Sequence, residues 1–274
     1  MLRALLFDLD GTLLRVESEE VFFRRYLTEL GGRFAHVMAP ERFVGAVMAA
    51  TRTMIVDRDP ARTNREVWAA DFFSRTGLDH DQLLPQFLAF YRDVFPTLRG
   101  SAGPTPGAAE AVNAARARGL HVVVATNPVF PRVAIDERLR WAGFPPEQFR
   151  LITSYEHMHF CKPNPEYYLE IADAIGCRPE ACLMVGNHPI DDMAAKLVGM
   201  RAYLVRGEDV PAVPGSESWV KRAPAARPGA VDGDARAVAA GAVPVPDYAG
   251  PMSGVAAVIA DLAPAVARGL AGEA

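Results

Sequence analysis

Hydrophobic and polar positions divide this chain into three stretches of different period. It opens on an unbroken apolar run, Ala4 to Leu9, which predicts a strand buried on both faces of a parallel sheet. From Glu17 to about Ala102 apolar residues recur three and four apart: Val21, Phe22, Tyr26, Leu27 and Leu30; Phe43, Val47 and Met48; Val67, Trp68, Phe72 and Phe73; Leu83, Leu84, Phe87, Leu88 and Tyr91. No strand-like alternation interrupts them, so residues 15–102 read as a helical subdomain inserted after the first strand. The third stretch alternates. Pro106 to Arg118 predicts a helix stopped by Gly119, and Leu120 to Ala125 a buried strand. Arg132 to Ala142 predicts a helix, Phe149 to Thr153 a strand, and Pro165 to Ile175 a helix closed by Gly176. Cys182 to Val185 predicts a strand, Asp191 to Leu197 a helix ending at Gly199, and Ala202 to Val205 the last strand.

Strands separated by helices of this length imply βαβ units, so the fold expected is α/β: a Rossmann-like, doubly wound parallel sheet with an inserted α-helical subdomain. Residues 1–14 and 103–206 would form the core. Residues 207–250 are rich in Ala, Pro and Gly without a period and predict an irregular segment, with Glu208 to Pro246 the least patterned part. Residues 251–274 hold a terminal helix, Gly254 to Ala267, with room to dock back on the core, although a linker or an insertion is the preferred reading of this tail.

Bulk properties narrow the function class. The chain has 274 residues, half of them hydrophobic, enough for one large domain or two modest ones. Its formal net charge of −4 argues against a broad nucleic-acid surface, which needs clustered Lys and Arg. With no run of apolar residues near membrane-spanning length and no charged-then-apolar leader, a cytoplasmic protein without a membrane partner is expected. Cys161, Cys177 and Cys182 are odd in number and carry no C-x-x-C pair, so neither a disulfide framework nor a zinc site is indicated. Oligomeric state is not readable.

The candidate chemistry sits where the predicted strands end. Asp8 and Asp10, two apart on a strand, project to one side at its carboxyl end, the place where open α/β sheets bind ligands. Two such close carboxylates repel unless a cation lies between them or one is protonated, an arrangement suited to Mg²⁺. Asp-Leu-Asp-Gly also suits an ordinary acidic turn. Thr126 and Asn127 follow the second strand, where a hydroxyl and backbone N–H groups can hold phosphoryl oxygens; Thr-Asn-Pro also starts turns. Lys162 lies between Cys161 and Pro163 with Pro165 beyond, a backbone stiffened on both sides. Asn187, Asp191 and Asp192 follow the strand Cys182 to Val185 and offer oxygen ligands, or helix caps.

Asp-x-Asp-Gly-Thr, then Thr-Asn, then Lys-Pro, then Gly-Asn-x-x-x-Asp-Asp, each after a predicted strand, resembles the haloacid dehalogenase (HAD) superfamily of phosphotransferases over residues 4–206. The helical insertion looks like that superfamily's C1-type cap. The resemblance implies a Mg²⁺-dependent hydrolase of a small phosphorylated metabolite, with Asp8 as the nucleophile and Asp10 as the acid/base. It also implies that Thr126, with Asn127 and Lys162, binds the phosphoryl group. For the metal it implies Asp8, Asp10, Asn187 and either Asp191 or Asp192, with a lean toward Asp192. One departure stands out: Asn187 occupies a position where most of the superfamily has Asp. Asp10 argues against a 2-haloacid dehalogenase. Residues 15–102 contain no Lys, which argues against a phosphonate hydrolase. A phosphomutase and a weakly active or non-catalytic binding protein are the alternatives. Arg24, Arg25, Arg52, Arg58, Arg62 and Arg65 are candidate anion contacts in the insertion, and His157 and His159 lie near the third motif.

Overall fold

The computed structural model describes residues 1–16, 18–207 and 244–264. Strand β1 (Ala4–Phe7) is buried throughout and lies at the centre of the sheet. It pairs in parallel with β4 (His121–Val124) on one side and β6 (Cys182–Gly186) on the other. β5 (Leu151–Ile152) lies beyond β4, and β7 (Arg201–Val205) beyond β6. β8 (Tyr248–Gly250) adds a sixth strand, giving the order β5-β4-β1-β6-β7-β8 with every pairing parallel. From β1 the chain winds outward one way and then resumes on the other side at β6. The crevice between the carboxyl ends of β1 and β6 is therefore the switch point where such sheets bind ligands.

Side chains alternate across the sheet. Leu5, Phe7, Val122, Val124, Leu183 and Val185 face one layer, while Ala4, Leu6, Val123 and Met184 face the other. The first face is covered by α5 (Ala108–Ala117) and α6 (Arg132–Trp141), the second by α7 (Pro165–Ala174) through Tyr167, Tyr168 and Ile171.

Between β2 (Leu14–Arg15) and β3 (Gly103–Pro104), a two-residue antiparallel ribbon, come four helices. α1 (Glu19–Arg33) starts on the Ser18 cap, and α2 (Pro40–Val56) on Pro40. α3 (Asn64–Thr76) opens on a full capping box between Thr63 and Glu66 and stops at left-handed Gly77. α4 (His80–Ala89) runs into a π turn and then a 3₁₀ turn ending at Arg99. Their shared core is aromatic: Phe34 stacks on Phe43 at 4.5 Å, with Phe72 and Phe87 against the pair. The start of α3 is also tied to the sheet-bearing part of the chain. Asn64 N–H donates to the Met158 carbonyl at 2.7 Å and Arg65 N–H to the Tyr155 carbonyl at 2.8 Å.

Three expectations change. The helix expected over Asp191 to Leu197 is a 3₁₀ segment, Met193–Val198, cut short by left-handed Gly199. Ala202 to Val205 is not the last strand, because β8 follows it from within the stretch expected to be irregular; residues 208–243 lie outside the described residues. The terminal helix is α8 (Val255–Leu262), shorter than Gly254 to Ala267, whose residues 265–267 also lie outside the described residues. The described part of the tail is no linker. Tyr203 Oη donates to the Pro251 carbonyl at 2.8 Å, and Arg118 Nε to the Ala263 carbonyl at 2.9 Å, so α8 docks beside α5. Among the described residues no helix is long and apolar enough to cross a membrane.

Candidate active site

Backbone pairing sets the position of every candidate side chain. Asp8 follows β1 directly, with its N–H bonded to the Val185 carbonyl at 2.9 Å, and the Ala125 N–H bonds Phe7 at 2.7 Å. The ends of β1, β4 and β6 are thereby level. After Asp8 the chain turns tightly: the Leu9 carbonyl accepts from the N–H groups of Thr12, Leu13 and Leu14. Gly11 has φ +71°, and a Cβ there would collide with the Asn187 amide, so only glycine lets the two loops approach.

Lys162 is the centre of the charge network. Its Nζ donates to Asp8 Oδ1 at 2.8 Å and to Asp192 Oδ1 at 2.6 Å, and all three residues are buried. Its own backbone N–H donates to Asn127 Oδ1 at 3.2 Å, which fixes the loop carrying it. Burial alone would discharge the ammonium, but Asp192 and Asp8 outweigh it and hold its pKa well above the ordinary value. Burial pushes Asp8 up to about 7, with Lys162 pulling it down and Asp192 pushing it further up. The second oxygen of Asp192 accepts the His188 N–H at 2.8 Å, so both of its oxygens are engaged. Asp191 differs. Burial raises its pKa, and its Oδ1 is buried without a hydrogen-bond partner. Asn187 Oδ1 accepts from the Thr12 hydroxyl at 3.4 Å.

Asp10 is paired with a residue the sequence reading missed. Arg138 of α6 turns inward, is 5% exposed, and makes an ion pair with the half-buried Asp10 carboxylate. Its guanidinium lies over Phe130 at 5.2 Å and Phe22 at 5.9 Å. Burial pulls its pKa down to about 10, opposed by the charge of Asp8, so it stays protonated at neutral pH. A sequence signal existed: Arg138 falls in the phase of Ala134, Ile135, Leu139 and Trp141, the buried positions of its helix.

Asp8, Asp10, Thr126, Asn127, Lys162, Asn187, Asp191 and Asp192, all eight sequence candidates, line one cavity of about 170 Å³, together with Arg138. Thr126 is buried there, with its carbonyl held by the Thr153 and Tyr167 hydroxyls at 2.7 and 2.8 Å. Of the six candidate arginines in the insertion, only Arg52 lines this cavity. Arg24 pairs with Glu20, Arg58 with Glu166, and Arg62 with Asp57 and Asp59. His159 is held by Glu170 at 2.7 Å, and neither it nor His157 lines the cavity. Among the described residues no three His, Cys, Asp or Glu side chains cluster closely enough to hold a metal ion on their own. The oxygen donors that line the cavity are the carboxylates of Asp8, Asp10, Asp191 and Asp192 and the amide of Asn187.

A family model described as haloacid dehalogenase-like hydrolase matches residues 2–199. The N-acetylmuramic acid 6-phosphate phosphatase of Pseudomonas aeruginosa is 28% identical over 220 residues, covering 77% of this chain and 87% of that protein. The phosphoglycolate phosphatase of Salmonella typhimurium is 27% identical over 212 residues, covering 72% of this chain and 79% of that protein. A solved HAD family hydrolase from Deinococcus radiodurans, with bound phosphate and sodium, superposes with a TM-score of 0.50 at 19% identity, covering 95% of this chain and 96% of that one.

Proposed function

The chain belongs to the haloacid dehalogenase-like hydrolases, and on that footing we propose that it is a Mg²⁺-dependent phosphatase acting on a small phosphomonoester in the cytoplasm. The observation that carries this reading is the pairing of Asp8 with Lys162 at 2.8 Å at the carboxyl end of the central strand, with Asp10 separately held by Arg138. Relatives named as phosphatases support it. So does the insertion, whose helices complete the cavity wall in the manner of a C1-type cap.

A carboxylate oxygen of Asp8 attacks phosphorus while the bond from phosphorus to the leaving-group oxygen breaks, leaving the phosphoryl group on Asp8. Asp10, carrying the proton it takes up in the second step of the preceding turnover, gives that proton to the leaving oxygen and becomes the carboxylate that pairs with Arg138. The same carboxylate then takes a proton from water as that water attacks phosphorus, the bond to Asp8 breaks, and phosphate is released. Two carboxylates can divide this work because their partners differ: Lys162 opposes the burial that raises the Asp8 pKa and so favours its anion, and Arg138 aims Asp10. Thr126 and the N–H of Asn127 hold the phosphoryl oxygens, and the ammonium of Lys162 offsets their charge.

The donors fit a hard divalent cation, being all oxygen: Asp8, the main-chain carbonyl of Asp10, Asn187, and one of the two later carboxylates. Asp191 Oδ1, which accepts no hydrogen bond and has only His188 Nδ1 at 3.7 Å, favours that residue over Asp192, whose oxygens are both engaged. Mg²⁺, when bound, would supply positive charge to the phosphoryl oxygens. Phosphate release from a generic aryl phosphate, with and without Mg²⁺, tests the reading. Wild type should turn over only with the metal, and Asp8→Asn should fall to background. No turnover by wild type above that variant would refute it.

A further inference from the structure

The cavity facing Asp8 has one charged wall and one apolar wall. The apolar wall belongs to α1 and α2 and is built from Phe22, Tyr26, Val47, Met48 and Ile55. Two of the cavity's three cations are already neutralised, Lys162 by Asp8 and Asp192 and Arg138 by Asp10. Arg52 is the third; it is exposed and has no ion-pair partner among the described residues. A compact phosphorylated acid would find one rim arginine to receive its second charge.

A second cavity, of about 180 Å³, lies between the insertion and the core residues Val129, Pro131 and Tyr155. It shares Tyr26, Val47, Thr51 and Val129 with the first, so the two chambers adjoin there, and a passage between them would run through the neck that these four residues form. Beyond the neck its walls are Trp68, Phe73, Phe87 and Tyr91. Nothing in the phosphoryl-transfer chemistry requires this chamber. Its size matters: an apolar cavity of about 150 Å³ accommodates a benzene-sized guest. The first chamber has room for the phosphoryl group and a short linker, and the second for one ring, with Arg65, Glu66 and His80 at its outer edge.

We infer that the second chamber is the leaving-group subsite, and that the substrate is a phosphomonoester whose alcohol carries an apolar or aromatic ring a few atoms from the ester oxygen. This rests on the phosphatase reading above and deepens it. Tyr26, Val47, Thr51 and Val129 would select linker length at the neck, and the aromatic walls would select the ring. The ring gains the transfer free energy of a buried apolar group.

The test compares kcat/KM of the Mg²⁺-loaded wild-type protein across propyl, benzyl, 3-phenylpropyl and 4-phenylbutyl phosphate, with 2-phosphoglycolate as the compact acid. Burying one ring should raise kcat/KM roughly 10- to 100-fold over propyl phosphate, with an optimum at an intermediate linker. Ala69→Trp, which fills the second chamber from α3, should collapse that advantage to near unity. Should that variant fail to fold, Trp68→Ala removes one wall and should lower the same ratio several-fold. A ratio near unity in wild type, a preference for 2-phosphoglycolate, or a ring advantage that survives these substitutions overturns the inference. Calorimetry of 4-phenylbutylphosphonate against propylphosphonate on Asp8→Asn reads the subsite without hydrolysis. Tighter binding of the ring compound with no turnover of any ester would sink the phosphatase reading alone; turnover with no ring preference would sink the subsite alone.

Discussion

Replacing Arg138 by Met isolates what the buried guanidinium does. The substitution keeps an unbranched side chain against Phe22 and Phe130 but removes the charge that meets Asp10. Removing one partner of a fully buried ion pair costs about 3–5 kcal/mol. Arg138 is 5% exposed, but the Asp10 side chain keeps 24% of its surface in solvent and can recover water. Met also refills most of the volume. The stability loss should therefore be nearer about 1–2 kcal/mol, measured by denaturant unfolding. The catalytic loss should be larger. A positioned acid/base contributes about 10²- to 10⁴-fold to rate, and an untethered Asp10 should forfeit much of it, so kcat should fall roughly 100-fold. KM should stay within about three-fold, because the guanidinium is committed to Asp10 rather than to substrate. Steady-state kinetics on an aryl phosphate at saturating Mg²⁺ separates the two effects. A KM raised ten-fold or more with kcat retained would mean that Arg138 binds substrate, and the positioning argument would fail. Arg138→Lys should recover only part of kcat, since a single ammonium lacks the planar fork.

Three further outcomes follow from the same geometry. Lys162→Met leaves Asp8 and Asp192 facing each other in a buried site and should cost about 3 kcal/mol by denaturant unfolding, most of it regained when Asp192→Asn is added; a double variant no more stable than the single would refute the network. Asp8, raised from 3.8 to about 7 by burial, binds its proton more tightly folded than unfolded, so without metal its contribution to stability is complete below about pH 4 and is lost as pH climbs to about 7. Mg²⁺ must displace that proton, so the rise in thermal midpoint on adding Mg²⁺ should be larger at pH 8 than at pH 6; equal rises would count against Asp8 as a ligand. Asn64→Ala removes the amide that donates to the carbonyls of Pro128 and Phe160 at 3.3 and 3.4 Å, and should cost about 1–2 kcal/mol together with faster hydrogen exchange at Asn64 and Arg65.

Much of this was visible in the chain because the deciding signals are local. β1, β4, β6 and β7 are runs of four or five residues, apolar almost throughout, and buried parallel strands demand that pattern. The helices of the insertion follow from their apolar spacing, and α3 from its Thr63–Glu66 box. The eight site candidates stand out in the sequence because each lies at or after the carboxyl end of a predicted strand. What escaped detection is set from outside the segment that shows it. β8 is only Tyr-Ala-Gly and becomes a strand because β7 offers an edge. β2 and β3 are too short to carry a period. The 3₁₀ segment after Asp192 reflects a carboxylate turned back to His188 N–H and inward to Lys162 rather than any helical pattern. Arg132, Arg138 and Arg140 share one side chain, and only Arg138 falls in the apolar phase of α6, a weak signal that the packing of the helix makes decisive.

The described part of the tail, which composition marks as irregular, covers one edge of the sheet. β8 occupies the outer edge of β7, and α8 covers α5, so the sheet ends in a short strand instead of five open residues. A protein shortened at residue 206 would present the N–H and C=O groups of β7 that β8 now pairs, along Tyr203 to Val205, as an open strand edge. Such a truncation would keep every residue of the candidate site and leave that edge open, so the last described residues close the sheet without entering the site.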